Sequence, residues 1–254
     1  PSKGPNGIWR TLSSLLGTAN VDERPATSRL QDSAESGDLE SRFQLGLRYY
    51  FGQDVQQDDR LAAFHYRIAA ESGHAKAQLN LGLLYEQGLG VQQSAEQAVA
   101  WYRRAVDGGS VTAVAKLGAM YALGTGVPKD STHALTLFER AAESGDPDAQ
   151  MYLAVMFDSG DGLPVDPAMA VHWYRRAASQ GHILGQFTLA EALWVGRGCA
   201  QDRTEAVSWY REAAKLGSLR AQVALGAALM GDNGVPENWE ESFFWLQRAA
   251  DQGN

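Results

Sequence analysis

From residue 38 onward, apolar positions recur at helical spacing in paired segments joined by short glycine-rich turns. In the first segment of each pair, Leu45, Leu81, Leu117, Leu153, Leu189 and Leu225 stand four residues before Tyr49, Tyr85, Tyr121, Phe157, Leu193 and Leu229. That spacing puts both positions on one helix face. Between them Gly46, Gly82, Gly118, Ala154, Ala190 and Gly226 keep one position small, so a neighbouring helix can come close. The second segment carries Ala62, Ala98, Ala134, Ala170, Ala206 and Ser242, then an aromatic-rich pair. Those pairs are His65–Tyr66, Trp101–Tyr102, Leu137–Phe138, Trp173–Tyr174, Trp209–Tyr210 and Trp245–Leu246. No segment alternates with period two between turn signals, so no strand is predicted.

The punctuation has the same period. Asp38, His74, Ser110, Asp146, His182 and Ser218 open the first helices, and four of the six are preferred N-cap types. Pro147 follows at a first helical position, where its missing N–H costs nothing. Gly52, Gly88, Gly124, Gly160 and Gly196 are predicted to end these helices in the left-handed conformation. A second glycine and an apolar residue shape the turn: Gly90–Val91, Gly126–Val127, Gly162–Leu163, Gly198–Cys199 and Gly234–Val235. Asp58, Ser94, Asp130, Asp166, Asp202 and Asn238 then cap the second helices, and Glu205 and Glu241 are predicted to complete capping boxes.

Gly73, Gly109, Gly145, Gly181, Gly217 and Gly253 stand 36 residues apart, so six units run 38–73, 74–109, 110–145, 146–181, 182–217 and 218–253. Neither helix of a unit can bury its apolar face alone, whereas stacked units share a continuous core. The expected fold is all-α, a right-handed α/α superhelical solenoid of helix–turn–helix repeats.

The run L-G-x-x-Y-x-x-G-x-G-V, a capped start, then A-x-x-W-Y-R-R-A-A-x-x-G, resembles the Sel-one-like repeat. Leu81–Val91 with Trp101–Gly109, and Leu153–Leu163 with Trp173–Gly181, carry the resemblance most closely. It spans 38–253, with His65 in place of the usual Trp, atypical Trp194 and Cys199, and Gly231 one residue early. The resemblance implies an adaptor or scaffold of multi-protein assemblies, often at bacterial envelopes, periplasmic or membrane-associated. Such a chain is not an enzyme, carries no cofactor, and binds a protein or peptide on its concave face.

In the related tetratricopeptide solenoids, first-helix positions face the concave groove. Carried over by column, the groove holds Gln44, Asn80, Lys116, Tyr152 and Thr188, with Glu86, Asp158 and Trp194 further along the helices. Tyr50 and Phe51, aromatics at the end of the first unit's first helix, join this set. The alternative is an enzyme-associated subunit, or a glycan or ligand sensor that uses Tyr152 and Trp194.

Charge narrows the partners. Net charge is −8 and the isoelectric point is near 5.1, which argues against nucleic acid, since phosphate backbones are held by clustered Lys and Arg. No run approaches the ~18 apolar residues of a membrane span. Cys199 stands alone, so neither an intramolecular disulfide nor a cysteine zinc site can form, and its place in an apolar column predicts a buried, inert thiol. The Gly-x-Gly pairs follow a helix and recur with the repeat, which favours a turn over a phosphate cradle. Asp158, Asp161 and Asp166 resemble a sparse calcium loop, but an EF-hand's closing glutamate is replaced by Met169. No metal site is expected, and His65, His74, His133, His172 and His182 form no ligand pair.

The ends are less regular. Residues 1–21 read as an N-terminal tail and degenerate cap segment, and 22–37 as a capping helix in which Asp22, Ala26, Leu30 and Ala34 keep second-helix columns. Asn254 falls in the next first-helix cap column, so the array is expected to continue or to be cut at a repeat boundary. In the last unit, Trp239 and Phe244 add aromatics beyond the core stripe. They are expected to meet a further repeat or a second chain.

Overall fold

The computed structural model describes residues 26–231 and 234–252, which carry thirteen α-helices and no strand. A leading helix α1 (Ala26–Glu35) lies inside the 22–37 segment; residues 1–25, with Asp22, and Asn254 are outside the described residues. First helices are α2 (Leu39–Phe51), α4 (Ala75–Gln87), α6 (Val111–Leu123), α8 (Pro147–Ser159), α10 (Ile183–Val195) and α12 (Leu219–Ala228). Second helices are α3 (Asp59–Glu71), α5 (Ala95–Asp107), α7 (Ser131–Glu143), α9 (Pro167–Ser179), α11 (Arg203–Lys215) and α13 (Trp239–Gln252). Each helix packs on the one before and the one after, so the chain is an all-α solenoid.

Within a unit, the second-helix aromatic lies over the first helix's small residue. A methyl group added at Gly118 would meet the Phe138 ring at 2.9 Å, and one at Gly82 would meet Tyr102 at 2.5 Å. The leucine column is sealed: Leu45, Leu81, Leu153, Leu189 and Leu225 are at most 1% exposed. The buried apolar residues run from Phe43 to Trp101 and from Ala98 to Trp245, overlapping at α5, so the core is continuous along the stack.

Between units, the second glycine of the turn is the tightest contact. A Cβ at Gly126 would sit 2.5 Å from the Ala95 backbone, and Gly90 and Gly198 press on Asp59 and Pro167 in the same way. The Gly-x-Gly pairs thus close junctions between units.

A buried polar column, unnoticed in the sequence, joins the units as well. Gln78, Gln150, Gln186 and Gln222 are 0–6% exposed, and each donates its Nε2 to a carbonyl eight residues back, on Ala70, Ala142, Ala178 and Ala214. Arg42 does the same to Ala34 at 2.7 Å, so α1 meets α2 as a second helix meets the next first helix. Each of these carbonyls also accepts the backbone N–H three residues on, so the side chain adds a second donor from the next unit. Unit three has Val114 in this column and dispenses with the clamp.

Two cap expectations change. His74 and His182 are caps after all: their Nδ1 atoms accept the backbone N–H of Ala77 and Gly185 at 3.1 and 2.9 Å. Glu205 and Glu241 do not close capping boxes. The N–H groups of Asp202 and Asn238 already donate to Leu193 and Leu229, so these carboxylates instead hold Arg175 and Arg211 of the preceding second helix.

Candidate binding groove

Four positions of each first helix recur on the side away from the core: those of Glu40, Gln44, Leu47 and Phe51 in α2. The spacing i, i+4, i+7, i+11 is one helix face. In α8 the stripe is Asp148, Tyr152, Val155 and Ser159, all exposed, and in α10 it is Leu184, Thr188, Glu191 and Val195. Large apolar side chains stand in water along it: Leu123 is 74% exposed, Val195 63%, Phe51 61%, Leu184 46%, Tyr152 44% and Val155 43%.

Beside the stripe, the position of Tyr50, Glu86, Asp158 and Trp194 faces the second-helix aromatic of its own unit. Tyr102 donates its hydroxyl to Glu86, and Tyr174 lies beside Asp158. Burial, and then the neighbouring carboxylate, pushes the Tyr174 phenol up to about 12, and the same causes raise Tyr102 further. Tyr210 donates to Glu191 instead, because Trp194 fills the acidic position of unit five. These phenols stay protonated at neutral pH, and Tyr102 and Tyr210 act as donors to Glu86 and Glu191.

A depression of about 250 Å³ lies between α8, α9 and α10. Asp158, Tyr174, Thr188, Glu191, Val195 and Arg197 line it, and Arg197 pairs with Asp158 at 2.9 Å. A second, more open depression places Gln44 and Arg48 beside Ala26, Arg29 and Leu30 of α1. The first depression offers two carboxylates, one guanidinium and an apolar floor, which can hold an extended chain by its polar groups. Asp158, Asp161 and Asp166 do not converge: Asp161 binds Lys129 and Ser131, and Asp166 caps α9. Cys199 is half-buried and its thiol is pushed up by burial, opposed by Arg175, which leaves little thiolate.

The sequence pattern described as Sel1 repeat matches six times in succession, at residues 39–74, 75–110, 111–146, 147–182, 183–218 and 219–254. The chain belongs to the Sel1 repeat family. Its matched repeats start one residue after the units above, at the first helical residue rather than its cap. A Sel1 repeat protein from Oxalobacter formigenes is 35% identical, with a TM-score of 0.75 over 84% of this chain and 85% of that one. The protective antigen c5321 of uropathogenic Escherichia coli strains, which displays an SLR fold, is 30% identical, with a TM-score of 0.54. It covers 91% of this chain, which spans 57% of that protein. The immunity protein Pa5087 of Pseudomonas aeruginosa, 20% identical with a TM-score of 0.55 over 84% and 81% of the two chains, shares the fold. No curated protein matches. Sel1 repeat proteins are in general protein-interaction scaffolds.

The groove residues named from the sequence separate into two sets on this Sel1 array. Gln44, Asn80, Lys116, Tyr152 and Thr188 stand on the stripe, and Asn80 and Tyr152 meet the aromatic of the unit before. Asn80 lies beside Tyr66, and Tyr152 stacks on Phe138 at 4.9 Å with an 18° interplanar angle. Thr188 turns its hydroxyl back to Leu184 O at 2.8 Å. Tyr50, Glu86, Asp158 and Trp194 are half-buried beside the second helices; Trp194 carries the Arg203 guanidinium 5.0 Å from its ring. Phe51 projects outward. Missed altogether were Leu123, Val155, Glu191 and Val195, although they lie three and seven residues beyond the named column and the helical period would have found them.

Proposed function

We propose that the chain is a non-catalytic scaffold that receives an extended protein or peptide segment along its first-helix stripe, the concave side. The carrying observation is the run of exposed apolar side chains in successive units, Leu123, Tyr152 with Val155, and Leu184 with Val195. Solvent-facing positions of a stable helix do not need them, and apolar patches rimmed by charge mark contact surfaces. Glu191 and the Asp158–Arg197 pair supply that rim. Burial holds the tyrosines beside the groove protonated, with Tyr102 and Tyr210 donating to Glu86 and Glu191, which supports binding over turnover. Tyr152 and Trp194 are engaged by Phe138, Tyr210 and Arg203, which leaves them less free to form a glycan platform than the sequence alone implied.

The overall charge of −8 supports a protein partner over nucleic acid. No described helix is long and apolar enough to cross a membrane. A place at a bacterial envelope, periplasmic or membrane-associated, is supported by the family resemblance and by the antigen relative from Escherichia coli.

The test uses a photoreactive residue at position 123 or 195, with positions 136 and 208 on the second helices as controls, in a bacterial host. Discrete cross-linked proteins at 123 and 195, absent at 136 and 208, support the groove. Equal yields at all four positions, or products from the controls alone, contradict it.

A further inference from the structure

The C-terminal face repeats, column by column, the surface that each inner unit covers with the next first helix. Ala63, Val99, Val171 and Val207 are 3–8% exposed at inner junctions, whereas Phe243 in the same column of α13 is 69% exposed. Ala70, Ala142, Ala178 and Ala214 are at most 1% exposed, and the matching Ala250 is open to solvent. Asp59, Ala95, Ser131 and Pro167 are half-buried beneath the second glycine of the next turn; Trp239, in their column, is 60% exposed. Phe244 is different. Its column, from Phe64 and Ala100 through Thr136, His172 and Ser208, is exposed in every unit, so it lies on the side that no neighbour covers.

We propose that Trp239, Phe243 and Ala250 form a docking face for one further helix of the first-helix type and the turn after it, which continues the array. The occupant is specified by the junctions already formed. Arg42, Gln78, Gln150, Gln186 and Gln222 reach the carbonyl that corresponds to Ala250, so the arriving helix presents a Gln or Arg as its fourth residue. Gln247 stands where Arg67 and Arg103 donate to Tyr85 and Tyr121 at 3.0 and 2.8 Å, and a hydroxyl or carboxylate on the newcomer meets it. Phe243 is larger than the alanine, valine or leucine of its column, so small side chains oppose it. Two copies of this face do not suit each other, because Glu237, Glu240 and Asp251 are all exposed around it and would meet their own likenesses. The inference is separate from the groove and stands whether or not that surface binds.

A copy of residues 146–181, whose helix begins Pro-Asp-Ala-Gln, appended after Gly253 is the probe. Amide exchange in α13 should slow about tenfold or more, with Trp239 emission shifting to shorter wavelength. Phe243→Lys in the extended chain should abolish the protection, and Phe244→Lys should leave it intact. Phe243 is exposed in the parent chain, so its replacement leaves that chain folded. Unchanged α13 exchange, or equal loss with both lysines, overturns the proposal. So does a parent chain that sediments as a dimer dispersed by Phe243→Lys, which would make a second copy the occupant.

Discussion

On α6, Val114, Leu117 and Met120 turn inward and are 2–5% exposed, while Lys116, Ala119 and Leu123 turn outward and Leu123 is 74% exposed. The two faces obey different rules along the array. At the position of Leu117 every unit has leucine, because that side chain fills a space bounded on all sides by neighbouring helices. At the position of Lys116 the units read Gln, Asn, Lys, Tyr, Thr and Ala, and at that of Ala119 they read Leu, Leu, Ala, Val, Glu and Ala. Stacking restricts the first face and leaves the second free to vary. Recognition can therefore be written on the outward face without disturbing the stack.

The contrast breaks most sharply at the junction turns. Gly126 has φ of 71°, and a Cβ there would press on the Ala95 backbone. Gly126→Ala should cost roughly 2–6 kcal/mol, combining backbone strain with overpacking. Next comes the leucine column. Leu153→Ala should cost about 2–5 kcal/mol through a cavity, whereas Leu123→Ser on the outward face should stay within about 0.5 kcal/mol. Urea midpoints compare the two directly, and similar shifts would mean that the faces are wrongly assigned.

A smaller effect concerns the amide clamp. Gln150 is 1% exposed and donates to Ala142 O at 3.1 Å, while Gln180 donates to its Oε1 at 2.8 Å. Ala142 O keeps the Gly145 N–H and Gln180 is exposed, so Gln150→Ala removes only the net worth of the bonds across the junction, about 0.5–1.5 kcal/mol. Unit three, with Val114, is the internal control: Val114→Gln should gain nothing comparable in the same denaturation series.

The smallest effect depends on pH. Burial, with Arg42 adding to it, lowers the His65 imidazole below its ordinary value of 6.5. The unfolded chain then binds the proton more readily than the folded one. The stability carried by neutral His65 is complete above 6.5 and is lost as pH falls toward the lower folded value. His65→Trp restores the residue of four of the other five units and should make stability fall less between about pH 7 and pH 5. Parallel pH profiles for the two proteins would show that the ring is not restrained by its surroundings.

Much of the fold was legible because it is written six times. The leucines, the small residues beneath the aromatics and the left-handed glycines each recur at 36 residues, so one physical reading applies to every copy. The amide clamp escaped notice because glutamine reads as a surface residue until its carbonyl partner is placed beside it. The roles of Glu205 and Glu241 were misread for a related reason: a local capping box and a distant arginine compete for the same carboxylate, and sequence shows only the local option. The outward stripe was half legible. The column of Tyr152 followed from the related solenoids, but Val155, Glu191 and Val195 were passed over because the reading stopped short of the full helical period. Phe244 was grouped with Trp239 as an aromatic excess, and only the exposure of its whole column separates the two.

The claim that the outward stripe recognises and the inward columns support is tested most directly by one paired measurement. Peptides selected from a random displayed library against the chain are titrated into Val155→Lys and Thr136→Lys, with urea midpoints recorded for both. The account predicts that Val155→Lys weakens peptide binding by about tenfold or more while both midpoints stay within about 0.5 kcal/mol of the parent. Binding that survives Val155→Lys, or that fails equally with Thr136→Lys, would contradict it.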